Sequence, residues 1–366
     1  MTRTEAYLVL NLLPLIGPVR VRRLLEIFQT PEAILKAKPR QLAQVNGIAG
    51  DLAGTIAGWE SSIDLGRELR RIREENLAVL TQEDELYPKL LKQIHDPPLL
   101  LYVRGKITER DHHGIALVGS RHTTQYGLSV TKKLAFQIAY AGYTVISGLA
   151  RGIDTAAHEG ALAGKGRTVA VIGAGIGKLY PPENAALAQR ISEHGAVVSE
   201  FPVDYPPDKQ SFPLRNRIVS GWSCGVVLTE APARSGALIT AQQAVEQGRA
   251  VFAVPGGIDR PSSHGCNRLI QQGAKLIMDG ADVLDDLMTL FPTQPAAPKL
   301  ESSKSGVALN GEEEKVYAAI GNDETHVNDI HARSGLAASL VNATLMKLEL
   351  KRVIKPLPGK YYVRLI

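Results

Sequence analysis

From Gly114 onward the hydrophobic positions gather into short continuous runs: GIALVGS, YTVISG, TVAVIGAG, AVVSE, CGVVLTE, AVFAVPG and KLIMDG. Between them lie stretches whose apolar residues recur at helical spacing, among them QYGLSVTKKLAFQIAYAG, DTAAHEGALAG, ENAALAQRISEHG and ALITAQQAVEQG. Runs rich in Val and Ile that end in small residues, each followed by a helix, predict repeated βα units of the α/β class. Their strands should form a parallel sheet covered by helices on both faces. Ligands of such sheets bind at the carboxyl ends of the strands.

Upstream, residues 1–65 read as short helices. LPLIGPVRVRRLLEIF and LAQVNGIAGDLAGTIAGW share one layout, an apolar residue, a glycine turn and then a helix. The layout resembles a tandem helix-hairpin-helix, or SAM-like, domain. There the turn glycines, here Gly17, Gly47 and Gly50, would turn backbone N–H groups toward a phosphate. Glycine turns that merely join packed helices explain the pattern equally well, since Pro18 removes one donor. Between residues 66 and 114, YPKLL and HDPPLLLYVRG read as short extended pieces. Residues 291–311, rich in Pro and Ser and without periodicity, read as a linker. Residues 312–366 give three short helices and a hairpin around Pro358-Gly359, the plan of a winged helix. Its stretch Leu345–Arg364 holds Lys347, Lys351, Arg352, Lys355, Lys360 and Arg364 against the single acid Glu349, a weak leaning toward phosphate. The domain plan is therefore 1–65, a core of 66–290, the linker, and 312–366.

Composition narrows the function classes. The chain has 366 residues, enough for two or three domains without disulfide staples. Cys224 and Cys266 are its only cysteines, with no CxxC spacing, so disulfide frameworks and zinc ribbons lack ligands and a reducing cytoplasm fits. The first apolar run, Leu8 to Ile16, is broken by Asn11 and Pro14, so neither a signal peptide nor a membrane span is expected. Forty-two Lys and Arg against 37 Asp and Glu leave +5, which by itself demands no polyanion. The charge is concentrated locally, however. Ile115–Arg217 holds eleven basic and seven acidic residues, a balance of +4.

That basic stretch carries most of the candidate site. In VGSRHTTQYG, Gly119 and Ser120 end a strand, and Arg121 can clamp a phosphate beside the N–H groups of the following helix. In ISGLARGIDTAAHEGAL, Ser147 and Gly148 end a strand, Arg151 adds a cation and Gly152 allows an unusual turn. Asp154 reads as a helix cap ahead of a ligand contact, and His158 as a packing residue. VIGAGIGKLYPPEN fails the dinucleotide fingerprint, because Gly177 is followed by Lys178, Leu179, Tyr180 and two prolines before a helix can start. GALAGKG likewise fails as a P-loop. What remains is a glycine loop with Lys178 available for a phosphate and Asn184 bracing the turn. SFPLRNRIVSGWS brings Phe212, Arg215, Asn216 and Arg217 to a helix start, where the alternative is a salt-bridge knot with Glu200 and Asp204. Ser235 and Gly236 open another helix after CGVVLTE. Base stacking would fall to Tyr180, Phe212 or Trp222.

Taken in order, GSR with YG, SGLARGID, the glycine loop leading to YPPEN, SEFP, FPLRNR, TEA with SGALITA, and PG with GCNRLIQQGA resemble the DNA-processing family called DprA or Smf. The resemblance covers essentially the whole chain. It implies an extended Rossmann-like parallel-sheet core between the helical domain and the winged helix. It further implies a cytoplasmic homodimer that binds incoming single-stranded DNA in natural transformation and helps load the RecA recombinase onto it. The DNA backbone would enter a positive pocket lined by Arg121 and, on the glycine loop, Lys178. No cofactor or metal is called for, and no enzymatic activity. Two competing classes are a nucleotide phosphoribohydrolase on a similar core and a winged-helix regulator reading duplex DNA. The first lacks its carboxylate in TEAPARSGALITA. The second has few base-reading residues in LAASLVNATLMKLEL.

Overall fold

The computed structural model describes residues 1–290, 309–320, 325–350, 353–357 and 360–364. The chain divides into two compact units, Met1–Pro298 and Lys299–Ile366.

Seven helices open the first unit: α1 (Arg3–Leu12), α2 (Pro18–Phe28), α3 (Pro31–Lys36), α4 (Pro39–Leu42), α5 (Gly50–Ala57), α6 (Trp59–Ser62) and α7 (Leu65–Glu74). Thr2 caps α1 through its hydroxyl while Glu5 reaches back to the Thr2 amide, so two otherwise orphaned donors are satisfied reciprocally. Proline starts α2, α3 and α4, at the position where a missing N–H costs nothing. Gly17 caps α2 and Gly50 begins α5, while Gly47 holds the left-handed φ of +85° that its turn requires. These helices share one core with the sheet: Leu8, Leu10, Leu24, Leu42 and Ile56 are buried together with Leu100, Tyr102 and Val197. Polar contacts reinforce the join. Arg71 on α7 meets Glu74, Glu75 and Asp204, and the Glu68 carboxylate accepts the Val203 amide at 2.9 Å.

The sheet and its helices follow as β1 (Ala78–Thr81), α8 (Lys89–Lys92), β2 (Leu100–Gly105), β3 (Gly114–Val118), α9 (Gln125–Tyr140), β4 (Thr144–Ser147), α10 (Ile153–Ala163) and β5 (Thr168–Val171). They continue as α11 (Ala185–His194), β6 (Ala196–Ser199), α12 (Ser211–Trp222), β7 (Ser223–Leu228), α13 (Gly236–Glu246), β8 (Ala250–Ala253), α14 (His264–Gln271), β9 (Lys275–Leu276) and α15 (Gly280–Leu290). The strand order is β1-β2-β6-β5-β4-β3-β7-β8-β9. All pairs from β6 to β9 are parallel, whereas β1 and β2 join antiparallel. β3 to β7 are buried along their whole length, as continuous apolar runs require. One expected extended piece is corrected. Residues 89–92, which begin within YPKLL, form a helical turn that sinks Leu91 into the core, while Pro88 fixes the backbone ahead of it. The chain winds from β3 outward to β6, then returns through α12 to place β7 on the other side of β3. The carboxyl ends of β3 and β7 thus flank a topological switch point, where the two halves of such a sheet leave a crevice.

The second unit comprises α16 (Gly311–Ala319), β10 (Thr325–His326), α17 (Val327–Ser334), α18 (Ala338–Leu350), β11 (Ile354–Leu357) and β12 (Tyr361–Arg364). Val316, Ile320, Ile330, Val341, Leu345 and Leu348 form its core, and the strands pair in the order β10-β12-β11. Asn310 and Glu313 make a reciprocal cap on α16. The turn residues Pro358 and Gly359, the basic Lys351 and Arg352, and residues 291–308 of the linker lie outside the described residues. Arg364 is not a free surface cation. It donates to the Tyr317 and Ala318 carbonyls at 3.0 Å and lies 4.7 Å from the Tyr317 ring centroid.

Candidate nucleic-acid interface

The crevice at the switch point is a cleft of about 490 Å³ built from the loops after β3, β4 and β7 together with α12 and α13. The loop after β3 is held from below. The Ser120 amide donates to the Glu230 carbonyl at 2.8 Å, and the Ser120 hydroxyl exchanges hydrogen bonds with the His122 carbonyl and amide. Thr124 caps α9 through the Gly127 amide. The Glu230 carboxylate, 2% exposed, accepts from the Thr123 hydroxyl at 2.5 Å, the Thr124 amide at 2.8 Å and the Thr124 hydroxyl at 2.9 Å. Burial raises the pKa of this carboxyl, but the hydrogen bonds outweigh it and hold the group below the usual glutamate value. With the loop backbone fixed, the Arg121 side chain is left exposed, its guanidinium 5.0 Å from the Phe212 ring centroid.

The loop after β4 interlocks with the first. Gly152 has φ +76°, and a Cβ there would lie 2.4 Å from the Ser120 carbonyl oxygen. Asp154 is not the cap of α10. Gly152 occupies that position, and the buried Asp154 carboxylate turns back to accept the Gly148 and Ala150 amides at 3.1 and 3.3 Å. Arg215 forms the floor beneath, donating to the Gly148 and Val171 carbonyls. Burial pushes its pKa down to about 10, with Asp154 pulling upward, so the guanidinium stays charged near neutral pH. Burial likewise holds His158 neutral, with a pKa lowered to about 3. Thr168 donates its own proton to the Val145 carbonyl, so His158 Nδ1–H is the donor to Thr168 Oγ1 at 2.7 Å.

The structure gathers Gly119, Ser120, Arg121, Gly148, Phe212, Arg215, Asn216, Ser235 and Gly236 around the cleft. Arg151 lines a smaller adjoining hollow with Tyr180 and Phe212, whose ring centroids are 5.9 Å apart, and its Nε donates to Glu183. The remaining candidates stand elsewhere. The Ser147 hydroxyl is spent on the Leu117 carbonyl inside the sheet at 2.6 Å. Asn184 ties the second loop to the third by donating to the Leu149 carbonyl and the Thr155 hydroxyl, both at 2.9 Å. Lys178 is exposed but does not line the cleft, and the glycine loop is not an open phosphate cradle. The Gly175 and Gly177 amides are consumed by the Tyr205 and Val203 carbonyls. Arg217 points away from the cleft as a buried ion-pair residue. It meets Glu200, and Asp96 at 3.1 Å, whereas Asp204 pairs with Arg67 and Arg71 instead. Trp222 is wholly buried, donating to the Asp111 carbonyl, and so offers no stacking face.

Two cations escaped the sequence reading. Lys209, just before α12, and Arg234, just before the Ser235 cap of α13, both line the cleft, and both are exposed. Lys209 lies two residues ahead of SFPLRNR and Arg234 lies within TEAPARSGALITA, directly before Ser235, and that adjacency was the available signal. The lining then holds Arg121, Lys209, Arg215 and Arg234 against one acid, Asp154, which is already committed to loop amides. The N-termini of α12 and α13 open on the same space, so backbone donors and side-chain cations converge on it.

Comparison with known proteins settles the family. The model of DNA recombination-mediator protein A matches residues 78–288, more than half of the chain. This chain belongs to the DprA family. The DprA winged helix domain matches residues 293–360, and a SAM-like helix-hairpin-helix tandem matches residues 8–57. Among relatives, Protein Smf of Synechocystis is 34% identical over 380 residues, covering 95% of this chain and 96% of its own. Protein Smf of Escherichia coli K12 is 40% identical over 294 residues, covering 79% and 78%. The solved DprA of Streptococcus pneumoniae superposes with a TM-score of 0.69 at 34% identity, over 78% of this chain and 98% of that one. The DprA of Helicobacter pylori, solved for its single-stranded DNA binding mode, gives a TM-score of 0.53 at 30% identity, over 59% and 98%.

Proposed function

We propose that this DprA-family protein binds single-stranded DNA in the switch-point cleft through its phosphates, and that it does so as a binding protein without catalysis. The observation that carries the reading is the convergence of Arg121, Lys209, Arg215 and Arg234 on one cleft that also offers the Phe212 ring. Phosphates then supply affinity, and the ring accepts any base face. The carboxylates nearest the strand ends speak against hydrolysis, since Asp154 and Glu230 are both buried and occupied by loop donors. The single-stranded DNA described for the Helicobacter pylori relative supports the same substrate.

Arg121→Ala tests the cleft. Binding of oligo(dT) should weaken without regard to base sequence, and the salt dependence should flatten by about 0.7 in log–log slope. Unchanged binding by the folded variant refutes the assignment. Release of free base from nucleoside monophosphates would favour a hydrolase, and preference for one duplex without single-strand affinity would favour a regulator.

Beyond binding, the family resemblance supports a cytoplasmic homodimer that protects incoming DNA and hands it to RecA during natural transformation. A strand-exchange assay containing RecA and a single-strand-binding protein tests this step. Stimulation by the wild type and its loss in Arg121→Ala is the expected result, and no stimulation by either protein would reject the RecA role while leaving the binding claim open to its own test.

A further inference from the structure

We propose that the outer face of α9 is a second contact surface for single-stranded nucleic acid. On it the Phe136 and Tyr140 rings stack bases while Lys133 and Lys165 meet phosphates. The proposal rests on the DNA-binding reading of the cleft and extends the strand's path beyond it.

Tyr126, Ser129, Lys133, Phe136 and Tyr140 recur every three or four residues, so they form one stripe down the solvent face of α9, opposite the buried Thr131, Leu134, Ala135 and Ile138. The stripe begins at the loop that presents Arg121. At 1.5 Å of rise per residue, Phe136 lies about 15 Å and Tyr140 about 21 Å along the helix from Tyr126. The Phe136 and Tyr140 rings are parallel to within 6°, with centroids 5.9 Å apart, and remain 42% and 53% exposed. Two stacked rings left in water form an apolar platform that a fold gains nothing by displaying. The chain has only 19 aromatic residues, Tyr, Phe and Trp together, which makes the placement of two here more telling.

The charges beside the rings select the occupant. Lys132 is neutralised by Glu159 at 2.8 Å, but neither Lys133 nor Lys165 has an ion pair among the described residues. Lys165 belongs to the turn after α10 that is pressed against α9. A Cβ on Gly164 would sit 3.0 Å from the Phe136 carbonyl oxygen, and one on Gly166 would sit 2.6 Å from the Ala139 Cβ. Rings flanked by unpaired cations, with no unpaired acid on the stripe, suit a chain of bases and phosphates better than an apolar protein surface.

The experiment compares oligo(dT) of about six nucleotides, which the cleft alone can hold, with oligo(dT) of about twenty. Phe136→Ser combined with Tyr140→Ser should leave the short probe unaffected and weaken the long one about tenfold or more. Lys133→Ala with Lys165→Ala should lower the salt slope of the long probe alone, by about 1.4. If wild-type protein binds neither probe, the cleft reading itself fails. If it binds both and the aromatic pair leaves the long-probe affinity unchanged, the α9 surface is overturned. A change in oligomeric state without that affinity loss overturns it too and assigns the face to a second copy of the chain.

Discussion

Replacing Glu230 by Gln removes one charge and almost no volume, so it isolates what the carboxylate does for the Arg121 loop. Three hydrogen bonds from Thr123 and Thr124 end on this group. Bonds to a charged acceptor contribute roughly 1.5–3 kcal/mol each, against roughly 0.5–1.5 for neutral ones. In the Glu230→Gln variant the side-chain amide oxygen can keep the two bonds at Oε2, whereas the NH₂ group must face the Thr124 hydroxyl that donated to Oε1. Losing one bond and the charge assistance of two would cost about 3.5–6 kcal/mol by these figures, and the burial penalty that the neutral amide escapes offsets part of this, leaving about 2–4 kcal/mol of stability at neutral pH. The pH dependence provides the sharper check. The folded-state pKa lies below the unfolded one, so the stabilisation is fully present above about 4.3 and is lost as pH falls through the folded value. The gap between wild type and Glu230→Gln, read from denaturant midpoints, should therefore be largest at pH 7 and close on acidification. A gap that stays constant with pH would refute the argument that the charge, rather than the shape, holds the loop.

Three further outcomes follow from the same geometry. Arg217→Ala leaves Glu200, whose side chain is only 12% exposed, without its cation and should cost about 3–5 kcal/mol in denaturant unfolding, while the affinity of the remaining folded protein for oligo(dT) stays near wild type. Lys209→Ala with Arg234→Ala removes two exposed cations from the cleft. Thermal stability should move little, and the log–log salt slope of binding should fall by about 1.4, measured by titration at several salt concentrations. Gly152→Ala puts a Cβ onto the Ser120 carbonyl at a φ of +76° and should lower stability by at least about 1–3 kcal/mol, with a matching fall in melting temperature.

Sequence periodicity was enough for the sheet because β3 to β7 are buried on both faces, and burial leaves no room for polar interruptions. It failed at YPKLL, where one helical turn is too short to show a period. At the site, motif membership located the loops but not the side chains. Arg215 and Arg217 share one motif, yet two residues along a helix is a rotation of about 200°, so one floors the cleft and the other faces Asp96 and Glu200. The glycine loop misled for another reason. Its donors are consumed by Val203 and Tyr205, roughly thirty residues downstream, a pairing that local spacing does not encode.

The core shared by the N-terminal helices and the sheet sets a limit on how the protein can be cut. Leu8, Leu10, Leu24 and Leu42 cover the side of the sheet that carries Leu100, Tyr102 and Val197. A chain shortened to begin at residue 66 would bare that apolar surface to water and present a binding face for any unfolded chain nearby. Such a truncation would test solubility more than DNA binding. The helical segment is a structural wall of the sheet core as much as a module in its own right, and its contribution to function is better sought by point substitution on its outer surface than by removing it.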